Sequence, residues 1–140
     1  MTSTPPARRP PRPVRRDRHP AAETGRVGEQ VAADHLAAAG LEVVCRNWRI
    51  AEGDLRGELD VVALDHDQRV VVVVEVKSRR GAGYGGGLAA VTVRKQAKIR
   101  RLAVAFLLAA DLPYRHVRFD VVEVRLDLVP PRVFHLEQAF

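Results

Sequence analysis

Apolar positions recur along the chain in two periods, and the switches between them outline the fold. Val27, Val31, Ala32, Leu36 and Ala39 fall on one face at helical spacing, with Thr24 as candidate N-cap and Gly40 as the stop. Leu41 to Cys45 reads as a strand, and Arg46 to Gly57, with Gly53 and several charges, as an exposed connection. Glu58 to Leu64 and Arg69 to Ser78 follow as two strands separated by Asp65, His66, Asp67 and Gln68, for which a hairpin is the simplest connection. Val70 to Val74 is unbroken, the pattern of a central strand buried on both faces. A glycine stretch from Gly81 to Gly87 leads to a helix from about Thr92 to Ala110, and strands at Val117 to Val124 and Val133 to Glu137 complete the pattern. The order α-β-β-β-α-β-β predicts an α/β fold, a central mixed sheet flanked by helices.

The chain of 140 residues, 46% hydrophobic, has room for one domain with a real core, expected over residues 23–140. The formal charge of +6 is unevenly placed. Residues 1–22 carry six arginines against Asp17 alone, among six prolines, so the rest of the chain is almost neutral. Such a tail cannot offset its ordering entropy and is expected to be disordered when free. Its arginines are an affinity arm for phosphate or simply a solvated tail, and both readings stay open. The lone Cys45 excludes an intramolecular disulfide and a thiolate zinc cluster, and reads as a small buried apolar residue. His19, His35, His66, His116 and His135 show no metal-ligand spacing. No apolar run approaches the ~20 residues of a membrane helix, and no apolar segment follows the N-terminal arginines as in a secretory signal. A soluble, cytoplasmic protein is expected.

Candidate chemistry lies in the hairpin. A four-residue turn closing between Leu64 and Arg69 sets Val62 opposite Val71, Asp60 opposite Val73 and Glu58 opposite Glu75. Strand alternation then projects Glu58, Asp60, Glu75 and Lys77 from one face at one end of the hairpin. Three carboxylates so placed repel one another unless a cation compensates. Lys77 supplies one charge, and an octahedral Mg²⁺ or Mn²⁺ held by two carboxylates, a backbone carbonyl and waters supplies the rest. Such a metal polarises a phosphodiester and lowers the pKa of bound water, while Lys77 orients the water or stabilises charge on the phosphorane. The competing reading is an exposed face with a cross-strand ion pair. It is disfavoured because Glu75 and Lys77 directly continue a fully apolar strand.

Glu29 sits at the edge of the first helix's buried face, within reach of the metal, although a glutamate favoured by the helix dipole fits equally. On the second helix Lys95 shares a stripe with Ile99, Leu102 and Phe106 and points toward the site. Arg94, Lys98 and Arg101 form a separate basic stripe, either phosphate contacts or a solvated face. Arg79, two residues beyond Lys77, joins them as a candidate nucleic-acid contact.

The string Gly57-Glu58-Leu59-Asp60, fourteen residues, then Glu75-Val76-Lys77 resembles the PD-(D/E)XK nuclease signature. With Gly25-x-x-Gly28-Glu29, Arg46-Asn47-x-Arg49, Lys95 and Arg118-Phe119-Asp120, residues 25–124 look like the bacterial YraN-type family. That family is generally described as resembling Holliday-junction resolvases and the restriction-endonuclease fold. The resemblance implies a restriction-endonuclease-like core and a Mg²⁺-dependent endonuclease acting on branched or otherwise structured DNA. It carries metal ligation onto Asp60 and Glu75, with the Val76 carbonyl as the backbone ligand, catalysis onto Lys77, and accessory acidic roles onto Glu29 and Glu58. Resolvases are commonly dimers, so a homodimer is allowed, though no interface is legible. The connection from Arg49 to Gly57 looks longer and more acidic than usual for the family, and the tail lies outside its pattern.

Two rivals differ in class. Gly81-Ala82-Gly83-Tyr84-Gly85-Gly86 fits G-x-G-x-x-G, but the helix is expected to begin only near Thr92 and Phe106 stands where a ribose-binding acid belongs. A flexible loop over a nuclease cleft explains these glycines better. The other rival is a non-catalytic nucleic-acid-binding domain that keeps the fold and binds mainly through its tail.

Overall fold

A computed structural model describes residues 20–80 and 91–140, with side chains from residue 23 onward. Most of the basic tail, the G-x-G-x-x-G string and Tyr84 lie outside the described residues. The elements run α1 (Pro20–Ala38), β1 (Glu42–Glu52), β2 (Leu55–Asp65), β3 (Val70–Arg79), α2 (Val93–Ala109), β4 (Val117–Arg125) and β5 (Arg132–Leu136). The sheet order is β1-β2-β3-β4-β5, with β3 and β4 parallel and the other neighbours antiparallel. The expected order, the mixed sheet and the central position of the all-valine strand are all present.

Each helix covers its own apolar layer. Ala32 and Leu36 of α1 meet Val61, Ala63, Val72, Val74, Val122 and Val124. Ile99, Leu102 and Phe106 of α2 meet Leu59, Val62, Leu64, Val71, Val73 and Val121. Successive valines of β3 thus alternate between two dry layers, which is why its sequence reads as one continuous apolar run. No helix among the described residues is long and apolar enough to cross a membrane.

Three expectations are corrected. Residues 46–57 are not an exposed connection: they complete β1, turn at Gly53 (φ 57°) and Asp54, and begin β2. Trp48 seats edge-on against Phe106 at 5.3 Å, so apolar anchors hidden among the charges hold this arm to α2. Thr24 is not the N-cap of α1, which starts at Pro20; the Thr24 hydroxyl instead accepts from Arg80 Nε at 3.1 Å. Val27 on the same helix is exposed, because α1 is rotated to press Gly28 against the sheet, and Ala39 is exposed in the turn that follows the helix.

The third correction is the hairpin register. Arg69 adopts φ 57° and belongs to the turn, not to β3, and Asp65 Oδ1 accepts the Gln68 amide at 2.9 Å. The turn therefore occupies 66–69, Asp65 pairs with Val70, and Val62 meets Val73 instead of Val71. A turn displaced by one residue shifts the pairing by two, so each side chain keeps its face.

In the first half of β4, Asp120 is fully buried and accepts from Arg118 Nε (2.9 Å), Arg118 Nη2 (3.1 Å), His135 Nε2 (2.8 Å) and the Gln138 amide (3.0 Å). Burial alone would raise its pKa, but these partners hold it below the ordinary value. Arg118 also reaches Asp65 at 3.0 Å, tying β4 and β5 to the β2–β3 turn. This network accounts for the Arg118-Phe119-Asp120 string as a structural brace.

A Cβ on Gly28 would fall 1.7 Å from Ser78 Oγ and 2.8 Å from Ser78 Cβ, so only glycine lets α1 cross β3 this closely. Gly28→Ala is expected to cost about 1–3 kcal/mol through overpacking, read as a lower urea midpoint. Adding Ser78→Gly should recover part of the loss; a Gly28→Ala protein as stable as the parent would refute the close crossing.

Candidate functional site

The β2–β3 ladder stops at Val61–Val74. Beyond it, the Asp60 carboxylate takes the place of a backbone acceptor: its Oδ2 accepts the Val76 N–H at 2.9 Å. In an extended strand the N–H and C=O of one residue point toward the same neighbouring strand, so the Val76 carbonyl faces this opening too.

Leu59 packs in the α2 layer whereas Val61 packs in the α1 layer, so β2 changes face across Asp60. On β1, Arg46 pairs with Val61 and Trp48 with Leu59, and between them Asn47 sits at φ 53°. Asparagine is among the few residues that tolerate this conformation. The twin irregularity turns Glu58 and Asp60 toward α1. There Glu29, Glu58 and Asp60 each offer a carboxylate oxygen within 4.8 Å of one another, a group that could hold a metal ion. The close crossing at Gly28 is what delivers Glu29.

Glu75 and Lys77 follow the strict alternation of β3 and face the α2 side. Glu75 forms an ion pair with Lys95, and its side chain is only 12% exposed. The expected single face is therefore not what forms: Glu58 and Asp60 meet α1, Glu75 and Lys77 face α2, and the opening between β2 and β3 separates the two sets. Glu75 is still close enough to raise the Asp60 pKa.

The electrostatics fit a missing positive charge. Burial first, then the Glu75 charge, push the Asp60 carboxyl up to about 8, with Glu29 and Glu58 adding to the rise against the Val76 hydrogen bond. Burial also raises Glu29, opposed by a hydrogen bond from Asn47. Glu58 is paired with Arg49 Nε at 2.8 Å. Lys77 is depressed by burial and by neighbouring Lys95 and Arg79. Asp60 has no cationic partner among the described residues.

Sequence reading assigned no role to Asn47 or Arg49, although both stood in the family string; they hold Glu29 and Glu58 from β1. It also passed over Glu123, 5% exposed, opposite Lys77 on β4 and 3.9 Å from Arg79 Nε. A charged residue inside the apolar run of β4 was its available signal. Arg79 thus lies against Glu123. Arg94, Lys98 and Arg101 line a groove of about 650 Å³ between α2 and the β1–β2 turn, with Lys95, Arg56 and Asp54.

Fold and site together define an α/β domain whose mixed sheet opens beside its central strand onto a carboxylate cluster suited to a cation. The chain belongs to the uncharacterised protein family UPF0102, the YraN-like proteins, whose family model matches residues 28–124. It is 47% identical over 116 residues to a UPF0102 protein of Mycolicibacterium smegmatis, covering 82% of this chain and 90% of that one. It is 50% identical over 117 residues to one of Parafrankia sp., covering 83% and 94%, and 44% identical to one of Rhodococcus jostii over the same shares.

The raised Asp60 pKa fixes the sign of a stability effect. The folded chain retains a proton up to about pH 8 that the unfolded chain releases near 3.8, so metal-free protein loses stability as pH rises through that window. Asp60→Asn, which keeps an acceptor for Val76, should remove the effect and raise the Tm at pH 8, on the order of 4 °C per kcal/mol recovered. Equal Tm values for the two proteins at pH 8 without metal would contradict the uncompensated charge.

Proposed function

We propose that this protein is a Mg²⁺- or Mn²⁺-dependent endonuclease that hydrolyses phosphodiesters in structured DNA. The observation that carries the reading is the uncompensated Asp60 carboxylate, gathered with Glu29 and Glu58 at a strand opening that also presents the Val76 backbone and stands beside Lys77 and a basic groove. All-oxygen donors and room for water suit a hard divalent cation. Asp60, Glu29 and Glu58 would hold it, with the Val76 carbonyl as a backbone donor and Glu75 available from the other side of the opening. When bound, the metal supplies Lewis-acid activation of the phosphodiester and a more acidic water.

The chain's own residues do the rest. Lys77, with a depressed pKa and no need to cross the sheet, stabilises the negative charge that develops on phosphorus oxygens during attack. Arg94, Lys98, Arg101 and Arg56 neutralise the phosphate backbone along the groove, which positions the strand without reading its sequence. The resemblance to Holliday-junction resolvases points to branched DNA among possible structures. A second reading, a nucleic-acid-binding domain without catalysis, draws on the ion pairs Arg49–Glu58 and Lys95–Glu75, which already neutralise two of the acids.

The test is cleavage of labelled four-way junctions, flaps, single strands and duplexes with Mg²⁺ or Mn²⁺. Cutting is expected with metal only, and Asp60→Asn or Lys77→Ala should lower it by about 10²-fold or more. Tail-dependent binding without cutting by the parent protein would favour the non-catalytic reading. Each glutamine substitution at Arg94, Lys98 or Arg101 should reduce the slope of log affinity against log salt by about 1, without changing substrate preference. An unchanged slope in all three would remove the groove from the binding surface.

A further inference from the structure

Among the described residues, Lys95 both lines the groove and pairs with an acid of the centre. Its backbone N–H is held by the Thr92 hydroxyl at 3.2 Å at the N-cap of α2, so the first turn of the helix fixes where its side chain starts. From there it lines the groove together with Arg94, Lys98 and Arg101, yet its ammonium is paired with Glu75. The two partners differ sharply in exposure: the Lys95 side chain is 51% exposed and that of Glu75 12%. A phosphate entering the groove can therefore reach Lys95 more readily than Glu75.

Glu29, Glu58 and Asp60 already lie within 4.8 Å of one another, and Glu75 is the carboxylate not in that group. It is near enough to act electrostatically on Asp60, but it is committed to Lys95. We infer that Lys95 is a substrate-sensing positioning residue. In the absence of polynucleotide it holds Glu75 away from the metal; a backbone phosphate in the groove draws the ammonium off and releases Glu75 to complete the metal's ligands. This rests on the metal-site reading proposed above.

Linkage then makes the two ligands cooperative. If phosphate binding frees a metal ligand, metal and polynucleotide each tighten the other's binding by the same factor. A half-exposed lysine suits this exchange, because its ammonium remains open to solvent, where a phosphate competes for it. Lys98 and Arg101 line the same groove without touching Glu75, so they provide controls within one surface.

The experiment measures Mn²⁺ affinity by electron paramagnetic resonance, with and without a duplex whose phosphorothioate linkages resist hydrolysis. The parent protein should bind Mn²⁺ several-fold more tightly with the duplex. Lys95→Met should bind it several-fold more tightly with no duplex present, and the duplex should add little further. Lys98→Met, which removes the same charge from the groove, should weaken duplex binding and leave duplex-free Mn²⁺ affinity unchanged. In a Glu75→Gln background the gain from Lys95→Met should disappear. A gain that persists in Glu75→Gln, or that Lys98→Met reproduces, would reduce Lys95 to a general charge effect and overturn the inference. So would parent protein that binds Mn²⁺ equally well with and without duplex. No Mn²⁺ binding by any variant would instead sink the metal-site reading itself.

Discussion

The hydrogen bond from Val76 to Asp60 is the constraint around which the site is arranged. A sheet that kept its ladder beyond Val61–Val74 would bury this stretch between strands and leave no opening. Here a side-chain carboxylate substitutes for the missing backbone acceptor, so the strands part without orphaning the Val76 amide. One acid therefore has two incompatible tasks: it must accept from Val76, which favours its charged form, while burial and nearby carboxylates favour its neutral form. A bound cation would resolve the conflict. Neither Lys77 nor Lys95 does so alone, since both lie on the α2 side of the sheet.

Bringing the acids together depends on two backbone devices that have no chemistry of their own. Asn47 at positive φ, opposite Asp60, lets β1 follow β2 as it changes face, and its side chain then steadies Glu29. Gly28 removes the Cβ that would collide with Ser78 and so lets α1 approach near enough for Glu29 to contribute. A similar economy holds on the other face: a Cβ on Gly57 would stand 2.8 Å from Leu102 Cδ1 and 3.1 Å from Lys98 Cε, so this glycine makes room for the middle of α2 against β2. Gly28 and Gly57 are therefore packing positions that set the distance between helices and sheet, whereas a side chain at Gly25 would meet open space.

Much of this was legible from the residues. The two periods of apolar positions give every element, and the unbroken valines of β3 identify the central strand because two dry layers erase the usual alternation. The acids and Lys77 stood out because a charged pair that continues an apolar run has no packing rationale. What stayed hidden depended on backbone conformation. Arg69 looks like a strand residue but occupies the left-handed region, which moves the turn and shifts the register by two. The change of face at Asp60 was invisible for the same reason: alternation was assumed to hold through it. The arm formed by β1 and β2 was concealed by charges that surround Trp48, Ile50 and Leu55, whose burial against α2 outweighs the polar composition of the segment.

The division of the acids between two faces has a physical advantage over the single face that strand alternation alone suggests. Three carboxylates on one face would repel at short range and weaken the sheet in the absence of metal. Splitting them lets each side be balanced locally, Glu58 by Arg49 and Glu75 by Lys95, so that the fold must tolerate only one strongly uncompensated acid. That acid, Asp60, sits at the opening where the two sets come closest. The arrangement limits repulsion in the metal-free domain and still leaves a carboxylate group that could hold a cation. It also separates the two sets in space: the α1 face gathers carboxylates around Asp60, while the α2 face carries Lys77 and the basic groove. On the proposed reading, a polynucleotide lying along α2 would meet the cation through the strand opening, so catalysis and backbone recognition would meet at that opening.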